Sequence, residues 1–180
     1  MVPINVPNVL TLLRILLVPV IVAALLGATP NGDLIAAFVF ALASATDFVD
    51  GRLARSRDSV TTFGKLMDPI ADKLLIIAAL VSLVSLNRLA AWVAMVIIAR
   101  ELAVTMSRMA ATGYGVVISA NRWGKVKTTF QVATIFLLIA VHHHPGWLDG
   151  LVYLTVAITV ASGIDYFFGL RRRMLERARA

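Results

Sequence analysis

Apolar residues in this chain gather in long runs and do not recur at every third or fourth position. Six runs reach spanning size, roughly 9–27, 34–52, 69–86, 89–108, 126–142 and 149–169, against the ~20 residues a helix needs to cross hydrocarbon. An open sheet would strand backbone N–H and C=O groups in lipid. The pattern therefore predicts an all-α integral membrane protein, six transmembrane helices in a single domain over residues 1–180.

Polar residues punctuate the runs. Pro3 and Pro7 break the start, which reads as a short interfacial N-terminal segment with Asn8 capping the first span. Thr11 and Arg14, three apart, share one side of that span. Turns are expected at Thr29–Asp33, at Asn87 and at His142–Gly146. Trp92, Trp123 and Trp147 fall near helix ends, as an interfacial aromatic belt does. No Lys or Arg precedes Arg14, and no small-residue cleavage site follows Leu26. The first run is therefore expected to be a retained helix and not a signal peptide.

Composition agrees with the runs. The chain is 59% hydrophobic, where a soluble domain is nearer half, and its mean hydropathy is +0.87. It has no Cys, which excludes disulfides and thiolate metal sites. The net charge of +7 would suit nucleic acid only on a basic soluble face. The runs leave no such part, so no nucleic-acid partner is expected. The charge is instead sided. Arg52, Arg55, Arg57 and Lys65 share one loop, Arg108, Arg122, Lys125 and Lys127 another, and Arg171–Arg173, Arg177 and Arg179 the C-terminus. The opposite loops hold only Arg88. The positive-inside rule then places both termini and both basic loops in the cytoplasm. Arg171–Arg173 are expected to stop the last span and meet anionic lipid. The adjacent His142–His144, on the other side, are not expected to bind a metal together.

Four aspartates carry the chemistry. Asp47 and Asp50 are three apart at the end of the second span; Asp68 and Asp72 are four apart at the start of the third. Each pair shares a helix face. A short loop returns the third span beside the second, so four carboxylates converge at one membrane level. Alone they would repel and some would protonate. A pair of divalent cations resolves this, and carboxylate oxygens suit magnesium, which also takes phosphate oxygens. Ordinary salt bridges to Arg52, Arg55 and Lys73 would explain any one aspartate, but not four beside a bilayer. Gly51 leaves room for a bulky ligand at the backbone, and Arg55 is placed to reach a ligand phosphate.

The stretch Asp47-Phe-Val-Asp50-Gly51-Arg-Leu-Ala54-Arg55, followed by Gly64, Asp68 and Asp72, resembles the full signature of the CDP-alcohol phosphatidyltransferase family at every signature position. The resemblance implies a CDP-alcohol phosphotransferase fold of six membrane helices, a homodimer, and two magnesium (or manganese) ions. Asp47, Asp50 and Asp68 would be metal ligands. Asp72 would be the general base, close enough to touch the metal site. Asn8, Thr11, Gly51, Arg55 and, more loosely, Thr61 would contact CDP-diacylglycerol. The reaction implied is proton removal from an alcohol, attack on the lipid-linked phosphorus, and departure of CMP.

The acceptor is read from outside the signature. Asn5–Arg14, Gly64–Lys73, Ile98-Ala-Arg100-Glu101-Leu102, Arg108 and Gly124–Gln131 resemble the branch of that family whose acceptor is sn-glycerol 3-phosphate. Arg100 and Arg108 lie near one helix face, and Lys125 opens the fifth span from the same membrane side. These three cations suit a phosphate dianion, with Glu101 orienting one of them. Lys127, Arg122 and Arg14 are alternates. Same-family enzymes using phosphatidylglycerol or an inositol phosphate are the nearest rivals. A metal transporter is a distant one, since carboxylates at one end do not line a path. The branch also implies a bacterial inner membrane, with membrane lipids as surroundings.

Overall fold

A computed structural model describes residues 6–27, 29–53, 62–113, 122–141 and 145–178. Side chains are described for 9–27, 29–46, 70, 71, 73–113, 123–141 and 145–176. The described residues form six helices and no strand. These are α1 (Val6–Leu26), α2 (Gly32–Leu53), α3 (Thr62–Ser85), α4 (Ala91–Gly113), α5 (Arg122–Ala140) and α6 (Gly146–Ala178).

Several boundaries differ from the sequence reading, each for a physical reason. Helix α1 starts at Val6, so Asn8 lies inside its first turn and does not cap it. Proline at position 7 is compatible with this, because first-turn N–H groups have no intrahelical acceptor anyway. Helix α3 starts at Thr62, so Asp68 and Asp72 stand in its second and third turns. Helix α6 runs through Arg171–Arg173 to Ala178. The arginines mark where apolar sequence ends, but nothing in their chemistry ends a helix. Arg172 in fact bonds Glu176 one turn on, at 3.1 Å.

The chain divides into two compact units, Met1–Leu89 with Ile135–His144, and Ala90–Thr134 with Pro145–Ala180. In the first unit, α1 packs against both α2 and α3. Its buried face carries Thr11, Arg14, Ile21 and Leu25, so the expected pairing of Thr11 with Arg14 on one side is observed. Helix α2 offers Ala36, Ala37, Phe40 and Ala43, whose small side chains allow close helix approach. Asn31 accepts the first helical bond of α2 from Ile35 at 3.0 Å. Beside it, a Cβ on Gly32 would lie 2.3 Å from the Ala24 carbonyl oxygen, so the α1–α2 turn closes only around a glycine.

Helix α3 gives way to the turn that the sequence suggests, at Asn87. Its φ of 56° is left-handed, which Asn tolerates better than most residues. Asn87 N–H bonds the Val84 carbonyl and Arg88 N–H the Leu83 carbonyl, a Schellman arrangement. The turn delivers Arg88 to Asp33 at 2.8 Å, and Arg88 also donates to the Ile139 carbonyl at 3.5 Å. The start of α2, the end of α3 and the end of α5 therefore meet at one end of the unit.

In the second unit, α4 and α6 run in the same direction. Trp92 stacks on Tyr153, Arg100 meets Ser162, and Arg108 lies over Tyr166. Helix α5 runs the opposite way, joined through Lys127 to Glu101 and through Thr134 to Thr155 at 2.7 Å.

Large apolar side chains stand exposed on all six helices, among them Leu16, Phe38, Val81, Met95, Val126 and Phe168. In water such a surface would drive association; in lipid it is the solvated face. Val9–Leu26 and Gly146–Glu176 are long and apolar enough to cross a bilayer, while the apolar stretches of α2 and α3 are shorter. Trp92, Trp123 and Trp147 each sit in the first turn of a helix and are half-exposed, as an interfacial belt requires.

Candidate active site

The first unit gathers the signature by topology. Arg88, bound to Asp33, fixes one end. The α1–α2 turn belongs to that same end, through the contact between Gly32 and Ala24. The opposite end therefore receives the start of α1, the end of α2 and the start of α3. Those segments carry Asn8 and Thr11, then Asp47, Asp50 and Gly51, then Asp68 and Asp72. Thr11 is buried there, and Arg14 lies one turn further in, 3% exposed. The side chains of Asn8 and the four aspartates are outside the described set, and so are Arg55 and Thr61 altogether. Helical spacing alone puts Asp47 with Asp50, and Asp68 with Asp72, on common faces.

The donor set suits a hard divalent cation. Helices α2 and α3 contain four aspartates in these turns and neither Cys nor His. Carboxylate oxygens without sulfur or imidazole favour magnesium or manganese over zinc or copper. Among the described residues, which do not include the four aspartate side chains, no group of three His, Cys, Asp or Glu gathers. His142–His144 lie outside the described residues.

The cations expected at the acceptor are distributed unequally. Arg100, 15% exposed, donates through Nη1 to Glu101 Oε1 at 3.3 Å and through Nη2 to Ser162 Oγ at 3.1 Å. Lys127 also bonds Glu101 Oε1, and both side chains are buried. Arg108 is exposed and two turns beyond Arg100, about 12 Å along the axis. Its guanidinium lies 5.7 Å from the Tyr166 ring centroid, a cation–π contact. Lys125 is exposed at the start of α5, and its carbonyl accepts from Thr129. The structure thus joins Arg100 to Lys127, the alternate, around Glu101. It places Arg108 and Lys125 outside that network.

Sequence reasoning assigned α6 no motif, yet α6 supplies Ser162 to Arg100. A signal was present. Lys127, Gln131 and Thr134 on α5, and Thr155, Thr159 and Ser162 on α6, repeat at four and three residues, and all are buried. Polar residues at that spacing inside apolar runs mark the face a helix turns inward.

Comparison with known proteins gives the family. Residues 4–162 match the model of the CDP-alcohol phosphatidyltransferase family. Three relatives carry the name CDP-diacylglycerol–glycerol-3-phosphate 3-phosphatidyltransferase. That of Bacillus subtilis is 40% identical, over 91% of this chain and 93% of its own. That of Rickettsia felis is 37% identical, over 91% and 93%. That of Haemophilus influenzae is 33% identical, over 96% of both chains. The match runs through both compact units and takes in all four aspartates. With two helices long and apolar enough to cross a bilayer, this chain is a membrane protein that belongs to the CDP-alcohol phosphatidyltransferase family.

Proposed function

We propose that this protein transfers the phosphatidyl group of CDP-diacylglycerol to sn-glycerol 3-phosphate, releasing CMP. One observation carries the reading. The Asp47–Asp72 signature is present in full in the sequence of a chain 33–40% identical to relatives bearing that activity's name.

Asp47, Asp50, Asp68 and Asp72 would hold two magnesium (or manganese) ions, which supply positive charge to a pyrophosphate. Asp72 also acts as base and takes the proton of the acceptor hydroxyl. A new phosphorus–oxygen bond forms to that oxygen, and the bond to CMP breaks. Arg55 and the open backbone at Gly51 hold the CDP part, with Asn8, Thr11 and Thr61 beside the nucleotide. Arg100, Arg108 and Lys125 bind the acceptor phosphate. Of the three, Arg100 has the built surroundings: partly buried, anchored on two sides, in an apolar helix. The work of these residues is positioning and charge stabilisation.

The same proposal takes all six helices as spans of one domain over residues 1–180, with both termini and the aspartates on the cytoplasmic side. The basic loops support that orientation. A bacterial inner membrane fits the bacterial relatives. A homodimer follows from the family likeness.

The test offers labelled CDP-diacylglycerol to purified protein with glycerol 3-phosphate, inositol 1-phosphate or phosphatidylglycerol in parallel. CMP release should require glycerol 3-phosphate and a divalent cation. Release driven by either of the other acceptors, and not by glycerol 3-phosphate, overturns the assignment.

A further inference from the structure

Arginine offers five N–H donors in a rigid plane, and whatever fixes the plane decides where the unused donors point. Two elements fix Arg100. Its Nη1 bonds Glu101, the next residue on α4, and its Nη2 bonds Ser162 on α6. The Ser162 hydroxyl gives its own hydrogen to the Thr159 carbonyl at 2.9 Å. Its lone pairs are therefore left for the guanidinium, and Ser162 acts as a fixed acceptor. Glu101 is shared with Lys127.

The stem of Arg100 is constrained by the next residue on α6. A Cβ on Gly163 would stand 3.3 Å from Arg100 Cγ and 3.9 Å from its Nε. That Nε is buried and has no hydrogen-bond partner among the described residues. Nε–H and the neighbouring Nη–H form the fork that matches two oxygens of a phosphate. Arg100 lines a cleft of about 540 Å³ between α4 and α6, with Ala99, Ala103 and Gly163 and the larger Ile164, Phe167 and Phe168.

We infer that Ser162 and Gly163 are the positioning residues of Arg100, and that they set how tightly the acceptor phosphate is held. Ser162 turns the guanidinium, and Gly163 leaves space for its stem. The inference rests on the reading that Arg100 binds that phosphate, and the experiment separates the two.

Ser162→Ala, Ser162→Thr, Gly163→Val and Arg100→Ala are purified in detergent, and KM is measured for each substrate with kcat. Losing one hydrogen bond to a charged group should raise the glycerol 3-phosphate KM about tenfold in Ser162→Ala. The KM for CDP-diacylglycerol and kcat should stay within about twofold of the parent. Ser162→Thr, which keeps the hydroxyl, should restore most of the loss. Gly163→Val should act in the same direction; if it does not fold, the Ser162 pair still decides. Suppose Arg100→Ala raises the acceptor KM while Ser162→Ala moves neither KM, or moves both equally. The inference is then overturned and the reading of Arg100 stands. If Arg100→Ala itself leaves the acceptor KM unchanged, the reading fails and the inference falls with it.

Discussion

Lys127 and Glu101 form an ion pair between α5 and α4 with 3% and 6% of their side-chain surface exposed. A buried pair costs desolvation of both charges, and removing one member leaves the other uncompensated. Glu101→Ala should therefore destabilise the fold by about 3–5 kcal/mol. Replacing both members by apolar residues of similar size, as in Glu101→Leu with Lys127→Met, should recover only part of that loss, since Arg100 is still deprived of Glu101. Thermal unfolding in detergent checks both. Lys125→Ala, at an exposed position, should leave the unfolding temperature near the parent value.

Gly32 gives a purely steric test. A methyl group there meets a backbone oxygen at 2.3 Å, which no side-chain rotation relieves. Gly32→Ala should destabilise by about 1–3 kcal/mol, the range for overpacking. Gly150→Ala on α6, where an added Cβ meets nothing within 4 Å, is the control and should be neutral or mildly stabilising. Equal unfolding temperatures for the two variants would contradict the tight α1–α2 turn.

Asp72→Asn keeps shape and removes the base. Turnover should fall by roughly 10²–10⁴-fold, the usual worth of general base catalysis, with helicity by circular dichroism unchanged. Asp47→Ala should lower activity and raise the magnesium concentration needed for half-maximal rate. A fully active Asp72→Asn removes that residue from its role.

The sequence made the six helices and the aspartate spacing readable because both depend on local pattern. Run length gives a helix, and separations of three and four give a shared face. It was poorer at helix ends. Thr62–Met67 mixes Thr, Gly and Lys with its apolar residues, so a hydropathy reading starts α3 late. Pro7 made the start of α1 look broken where the first turn accepts it. The network around Arg100 was least readable, because its contacts join residues 62 apart, Arg100 with Ser162, and 26 apart, Glu101 with Lys127. Choosing Lys125 over Lys127 is a question of helix phase, and two residues on a helix point nearly opposite ways.

Arg88 and Asp33 carry the orientation of the first unit, and charge reversal tests it. Their side chains are 18% and 14% exposed, between the surface and buried regimes, so Arg88→Asp alone should destabilise by roughly 1–3 kcal/mol. Arg88→Asp combined with Asp33→Arg should recover part of that loss. No recovery, with the single variants additive, would mean that the two charges do not interact in the membrane.

Helix α6 has 33 residues, about 50 Å of rod, where the hydrocarbon layer is about 30 Å thick. It cannot be matched to a membrane by length. What fixes its depth is a graded boundary, with Phe167 and Phe168 exposed on one side and Arg171–Arg173 on the other. Long arginine stems can reach up or down to the headgroups while the helix continues unbroken. A thinner or thicker bilayer is then absorbed by the reach of those side chains, and Ser162 and Gly163 keep their level against α4. On the proposed reading of Arg100, the acceptor site would then keep its depth as the surrounding lipid mixture changes.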